Sequence, residues 1–253
     1  MISEKDFAYD CNKSLYSQLG LPIHEEFGTY YSQTKVPHPL LNGVLRCNTP
    51  DANIEGVVKK VISHFNALQL PHSWWVEESE APPSLKSILE RNGLNYLGKF
   101  SVLLLDIKHT LPVVESDAKI DIVRDEAHLS IWGDILSHAF QIPPTALSIF
   151  LKLMQKASGC GDFTNVLAHK SGKGIATGSI TITNDGGYIC NDCTMDEARN
   201  LGYGKAITCK LLDIAQKSDC RRVGVISAPS ELEDYKQLGF VEQGVFHIYT
   251  TNS

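Results

Sequence analysis

Basic residues are scarce in this chain and never massed. Lys and Arg number 23 against 29 Asp and Glu, a formal net charge of −6, and no basic run exceeds the two residues seen at Arg221-Arg222. The electrostatic footprint that follows a phosphate backbone is therefore missing, and nucleic acid is not an expected partner. Long apolar runs are missing too. Val102–Leu105 is the longest, far short of a bilayer span, so no membrane partner is expected. The opening residues, Met1 to Asp6, have no apolar core behind a positive start, which reads against a secretory leader. Seven cysteines, at positions 11, 47, 160, 190, 193, 209 and 220, are odd in number and scattered, unlike the dense framework of a small secreted domain. Reduced thiols and a cytoplasmic location are the expectation.

What is present is ordinary globular material. Apolar residues make up 43% and charged residues 21%, which excludes a disordered or collagen-like chain. At 253 residues there is length for two domains or one double-sized sheet. In the second half, periodicity predicts a strand over Ile120–Val123, a helix from about Glu126 to Phe140, and a second helix after Pro143-Pro144 to about Ala157. A hairpin over Asn165–His169 and Ile175–Thr183 turns at Ser171-Gly172, and Gly186-Gly187 opens a strand over Tyr188–Thr194. A helix from about Gly204 to Lys217, a strand Val223–Ser227, a short helix Glu231–Leu238 and a strand Val245–Thr250 complete the order β-α-α-β-β-β-α-β-α-β.

The first half reads similarly. It has a helix over Glu4–Leu19, strands near Phe27–Tyr31 and Leu41–Cys47, a helix Ile54–Leu68, a strand Trp74–Val76, a helix Leu85–Arg91 and a long strand Tyr96–Ile107. Shifting the chain by 146 residues, the distance from Pro83 to Pro229, aligns the closing segments without a gap. Ser84 then meets Ser230, Gly93 meets Gly239, Gly98 meets Gly244 and Phe100 meets Phe246, while Gly56 falls on Gly202 and Lys59 on Lys205. A duplicated α/β fold with a mixed sheet is the expected class. Its units would be residues 1–112 and 119–253, joined through the polar, Pro112-containing stretch Leu111–Lys119.

Chemistry concentrates at Arg199-Asn200-Leu201-Gly202-Tyr203-Gly204-Lys205, between a predicted strand and a predicted helix. A helix start carries unpaired amides and the positive end of the backbone dipole, a ready seat for phosphate. Gly202 and Gly204 let the main chain bend and approach a ligand, and Arg199 and Lys205 add charge. These residues alone equally fit a turn that starts a helix and binds nothing.

The segment resembles the GNAT (general N-acetyltransferase) superfamily, whose signature is Gln/Arg-x-x-Gly-x-Gly/Ala between the fourth strand and the third helix. The likeness reaches back through ICNDCTMDEARNLGYG and forward to Tyr235-Lys236-Gln237-Leu238-Gly239-Phe240, similar to the Tyr-x-x-Leu-Gly-Phe of family members. It covers about Ile120 to Thr250. It implies acetyl-CoA as co-substrate, with the backbone of Asp192, Cys193 and Thr194 pairing with the pantetheine arm and Asn200, Leu201, Gly202, Tyr203, Gly204 and Lys205 holding the pyrophosphate, beside Arg199. It implies transfer of acetyl to a primary amine of a small molecule, peptide or protein by direct attack, in a monomer or homodimer, with Tyr235 protonating the departing sulfur. A non-catalytic module that binds CoA or acyl-CoA is the alternative, as is a Tyr235 that only packs its helix on the sheet.

Three departures from the family pattern stand out. The fifth strand, Val223 to Ser227, has no carboxylate to act as base, leaving Asp192, Glu231 and Glu233 as candidates. Asn200 stands where relatives often have glycine, and Ala228-Pro229 where many have asparagine. In the first half the shift puts Asn53 on Arg199, Val58 on Gly204 and Leu89 on Tyr235, so that half reads as a degenerate copy and Trp74-Trp75 as core. Cys190-x-x-Cys193 has no second ligand pair and regular strand alternation would put its thiols on opposite faces, so no metal is expected.

Overall fold

In the computed structural model, residues 21–107, 111–158, 162–184 and 186–251 are described, with a few single positions ahead of them. The helix expected over Glu4–Leu19 lies mostly outside them. The described elements are strands β1 (Ile23–Glu26), β2 (Thr29–Ser32), β3 (Gly43–Cys47), β4 (Ser73–Glu77), β5 (Asn95–Asp106), β6 (Lys119–Ile122), β7 (Phe163–Lys170), β8 (Lys173–Thr183), β9 (Gly186–Thr194), β10 (Arg222–Ser227) and β11 (Val241–Thr250). Helices are α1 (Ile54–Ala67), α2 (Leu85–Arg91), α3 (Glu126–Phe140), α4 (Pro144–Ser158), α5 (Tyr203–Lys217) and α6 (Leu232–Gln237). Expected boundaries agree within a residue or two except at β11, which begins four residues early, and at β1, which periodicity did not reveal because its IHEE sequence is half polar.

The helices form for legible reasons. Along α1 the buried residues are Ile54, Val58, Val61 and Phe65, an apolar stripe at helical spacing. α3 starts where the Asp125 side chain accepts the His128 amide at 2.8 Å, and ends with Gln141 in the left-handed region at φ 53°. α5 differs: its N-cap is Gly202 at φ 82°, and no side chain caps its first amides.

All eleven strands join one mixed sheet in the order β1-β2-β3-β4-β11-β5-β10-β9-β8-β7-β6. About its centre, β11 corresponds to β5, β4 to β10, β3 to β9 and β2 to β8, so the two halves of the chain form two matching halves of the sheet. The closing strands are interchanged. β5, from the first half, lies antiparallel between β10 and β11, and β11 lies antiparallel between β4 and β5. α5 covers one face of the second half with Ile207, Leu211 and Leu212, while α3 and α4 cover the other with Trp132, Leu136 and Phe150. Gly178 on β8 permits the closest approach, since a Cβ there would come within 2.6 Å of the Ile207 side chain on α5.

A loop between β2 and β3 ties the halves together around Asn42, which is fully buried. Its Oδ1 accepts from the Thr34 amide at 2.6 Å, and its Nδ2 donates to the carbonyls of Val36 (2.9 Å), His38 (3.0 Å) and Pro71 (3.1 Å). The loop thus held packs Val36 into the core of α3 and α4, and His38 Nε2 contacts the Phe140 carbonyl at 3.1 Å.

His72, at the start of β4, is fully buried and stacked on Phe65, with ring centroids 4.5 Å apart. Burial pushes its pKa down to about 4. The unfolded chain therefore binds a proton that the folded chain refuses between roughly pH 6.5 and 4. The stability this neutral ring confers is complete above pH 6.5 and lost as pH falls through that window. Denaturant unfolding at pH 7.5 and pH 5 is expected to show a loss of about 2 kcal/mol from this group, and His72→Phe should lose less over the same interval.

Candidate functional site

β9 and β10 pair in parallel at only three positions, Gly187–Val223, Tyr188–Gly224 and Ile189–Val225, after which they part. The cause lies two residues further along β9. Asn191 adopts φ 55°, and the register with β8 slips there, Ser179 facing Cys190 but Thr177 facing Cys193. This is a β-bulge, which bends the strand and re-aims its side chains. It also overturns the expected geometry of the cysteine pair: Thr177 and Ser179 share a face of β8, so Cys193 and Cys190 share the facing side of β9. Both thiols are free and pack in the core under α3 and α4. Among the described residues no group of three or more His, Cys, Asp or Glu side chains could hold a metal ion.

The wedge between the parted strands opens into a cavity of about 340 Å³. β9 supplies Asp192, Cys193 and Thr194, the loop before α5 supplies Arg199 and Asn200, and α5 supplies Gly204 and Lys205. Ser230, Glu231, Asp234 and Tyr235 close it from the far side.

The loop ahead of α5 shows why its glycines sit where they do. Asn200 and Gly202 both have positive φ, 61° and 82°. Asparagine tolerates that region better than other side chains, which explains how it can stand at a position often given to glycine. A Cβ on Gly202 would meet nothing within 4 Å, so Gly202 is needed for its dihedral and not for space. Gly204 is the reverse case: it is inside the helix, and a Cβ there would lie 3.4 Å from Thr194 Oγ1, so it sets how closely α5 approaches β9. The Ala206 amide bonds the Gly202 carbonyl at 3.0 Å, and the amides ahead of it remain for an anion.

Side chains of the loop are spread more widely. Tyr203 points away from the cavity, is buried, and donates to Asp117 Oδ1 at 2.8 Å. Leu201 is exposed. Both can serve a ligand only through their main chain. Lys205 crosses to α6, 3.0 Å from Asp234 Oδ1 and 2.6 Å from Gln237 Oε1. Arg199 donates from Nε to the Thr194 carbonyl at 3.3 Å and pairs with Asp196 at 2.9 Å. The positive ends expected of the motif are therefore present, anchored to acidic partners at the rim.

Deeper in, three ionisable groups meet. Tyr235 is buried and donates its phenolic hydrogen to Asp192 Oδ2. Burial, then the charges of Asp192 and Glu231, hold that phenol well above its usual range. Burial also raises Asp192, against the Tyr235 hydrogen bond that lowers it. Glu231 is pushed up to about 8 by burial and by the neighbouring charge of Asp192. Of the three carboxylates weighed as bases, Glu233 is the one outside the cavity, exposed and 3.5 Å from Lys236. Thr177, Thr208 and Asp234 also line the cavity. No motif named them, although Asp234 precedes Tyr235 and Thr208 lies one helical turn after Gly204.

The matching wedge in the first half is closed. β3 and β4 pair at Gly43–Ser73 and Val44–Trp74 and then part, but Arg46 and Glu80 bridge the gap at 3.0 Å and the remaining space is about 30 Å³. That is room for a single water. Arg46 is the counterpart of Asp192 under the 146-residue shift, and Leu89, the counterpart of Tyr235, is fully buried. Trp74 is core and Trp75 packs on Phe246, with ring centroids 5.9 Å apart.

Gly202→Asp tests the loop directly. It forces a β-carbon into the left-handed region and sets a negative charge against the helix start, each unfavourable by about 1 kcal/mol. Titration calorimetry with CoA, the ligand the sequence resemblance implies, is expected to show at least ~10-fold weaker binding for that variant than for the parent chain.

No family model matches the chain. A glucosamine 6-phosphate N-acetyltransferase of Trypanosoma brucei brucei is 28% identical over 127 residues, spanning 47% of this chain and 86% of that protein. Among solved structures, a GCN5-related N-acetyltransferase from Kribbella flavida superposes with a TM-score of 0.67 at 16% identity, over 97% of this chain and 95% of that one. Another, from Sphaerobacter thermophilus, gives 0.66 at 13% identity over 88% and 76%. A tandem GNAT protein from the clavulanic acid biosynthesis pathway gives 0.57 at 13% identity over 88% and 78%. No helix among the described residues is long and apolar enough to cross a membrane. By its two matching half-sheets and their joining, the chain has the fold of the GCN5-related N-acetyltransferases it superposes on, the tandem protein among them.

Proposed function

We propose that the chain transfers the acetyl group of acetyl-CoA to a primary amine of a small molecule, peptide or protein. The observation that carries this reading is the open wedge of the second half, where unpaired β9 main chain, uncapped α5 amides and a buried tyrosine line one cavity. The pantetheine arm would lie along Asp192, Cys193 and Thr194 as an added strand. The pyrophosphate would sit on the amides from Asn200 to Lys205, with Arg199 and Lys205 at the rim.

Direct attack by the amine fits the thiols. Cys193 lines the cavity, but burial pushes its pKa up to about 12, so it is not ionised for a covalent acetyl intermediate. Tyr235 would give the departing sulfur its proton, and burial beside Asp192 and Glu231 holds that phenol well above its usual range. The matching wedge of the first half is bridged by Arg46 and Glu80, so residues 1–112 would serve to complete the sheet and border the acceptor while residues 119–253 bind the cofactor. The one curated relative above acts, by its name, on an amino sugar phosphate, which makes amino sugars the first acceptors to try.

Release of free thiol from acetyl-CoA, followed with a chromogenic disulfide across a panel of amino sugars, polyamines and peptides, is the test. Turnover with at least one amine is expected. Binding of acetyl-CoA without thiol release for any acceptor would instead support a regulatory CoA-binding module. Tyr235→Phe should lower kcat by ~10²–10⁴ with KM for acetyl-CoA little changed.

A further inference from the structure

Tyr235 presents a difficulty for the role just given to it: its hydrogen is directed at Asp192 and not into the cavity. A phenol has one hydrogen, and one that is committed to a carboxylate is not available to a thiolate. The groups around Asp192 define what can release it. Glu231 and Tyr235 face it from α6 and the turn ahead of it, Arg199 is the nearby cation, and Cys193 follows it on β9. Of these, only Asp192 both touches the phenol and borders the cavity as a carboxylate.

We propose that Asp192 is the general base for the amine and that its protonation is what turns the Tyr235 hydrogen toward sulfur, so that base and acid act as one relay. This rests on the acetyl-transfer reading above and deepens it. As the amine nitrogen bonds to the acetyl carbon it loses a proton to Asp192. The new carboxylic acid is a much weaker acceptor than the carboxylate, and it can donate its own hydrogen to the phenol oxygen. The phenolic hydrogen rotates about the C–O bond into the cavity and passes to sulfur as the carbon–sulfur bond breaks, and the phenolate left behind takes the proton from Asp192. One nitrogen–carbon bond forms, one carbon–sulfur bond breaks, one proton travels from nitrogen to sulfur, and both side chains end the cycle as they began it. Departure of the thiolate is therefore made conditional on deprotonation of the acceptor. Of the two buried carboxyl groups, Asp192 is the one in contact with the phenol.

The test is a double-mutant cycle with Asp192→Asn, Tyr235→Phe and the combined variant. Both changes nearly preserve shape, and calorimetry with acetyl-CoA establishes that each variant keeps the cleft. Each single change should lower kcat by ~10²–10⁴, and the double variant should be no slower than the slower single within ~3-fold, because a broken relay cannot be broken twice. Asp192→Asn should also remove the low-pH limb of the kcat profile, which a merely structural contact would not do. Multiplying effects in the double variant, or an unchanged low-pH limb in Asp192→Asn, overturns the relay while leaving acetyl transfer intact. A parent chain that binds acetyl-CoA but turns over no amine overturns both.

Discussion

Everything at the site follows from the point where β9 and β10 stop pairing. A parallel ladder that continued past Ile189 would have closed the wedge with backbone hydrogen bonds, leaving no cavity and no free strand edge. The left-handed residue Asn191 prevents this by adding one residue to β9, and the same slip carries Asp192 to the side where α6 delivers Tyr235. Unpaired backbone inside a protein is costly unless something satisfies it. Here the opening keeps it accessible to a ligand able to complete the sheet, and the uncapped start of α5 offers a second set of donors at its mouth.

The first half shows what happens when the same opening is not kept. The strands still part after two pairs, as their counterparts do after three, but an arginine–glutamate pair spans the gap and a leucine stands opposite the tyrosine's place. Such a half-exposed ion pair adds little stability by itself. Its effect is steric and electrostatic: it occupies the volume a cofactor would use.

Much of this was legible in the residues. Helix and strand periodicity located nearly every element, and the two glycines of the loop, with YKQLGF beyond them, marked the cleft. Particular features were hidden for physical reasons. The reversal of the Cys190 and Cys193 faces depends on a left-handed asparagine, and asparagine signals that conformation far less firmly than glycine does. The direction of Tyr203, toward Asp117 and away from the cavity, depends on a linker residue 86 positions away in sequence. The contact of Tyr235 with Asp192 joins two motifs that sequence spacing treats as separate. The repeat itself appeared as a shift of the chain, but a linear shift carries no information on which half each closing strand joins.

That interchange of β5 and β11 has a consequence for how the protein comes into being. β5 lacks one neighbour until β10 has formed and the other until β11 has been made, and β11 follows every other strand of the sheet in the chain. Contacts between residues so far apart make for slow, non-local assembly. On a ribosome the first half would wait with an exposed apolar edge at Val102–Leu104, a hazard that chaperones are suited to mask. It also means that neither half can be removed by a simple truncation without stripping the other of a central strand.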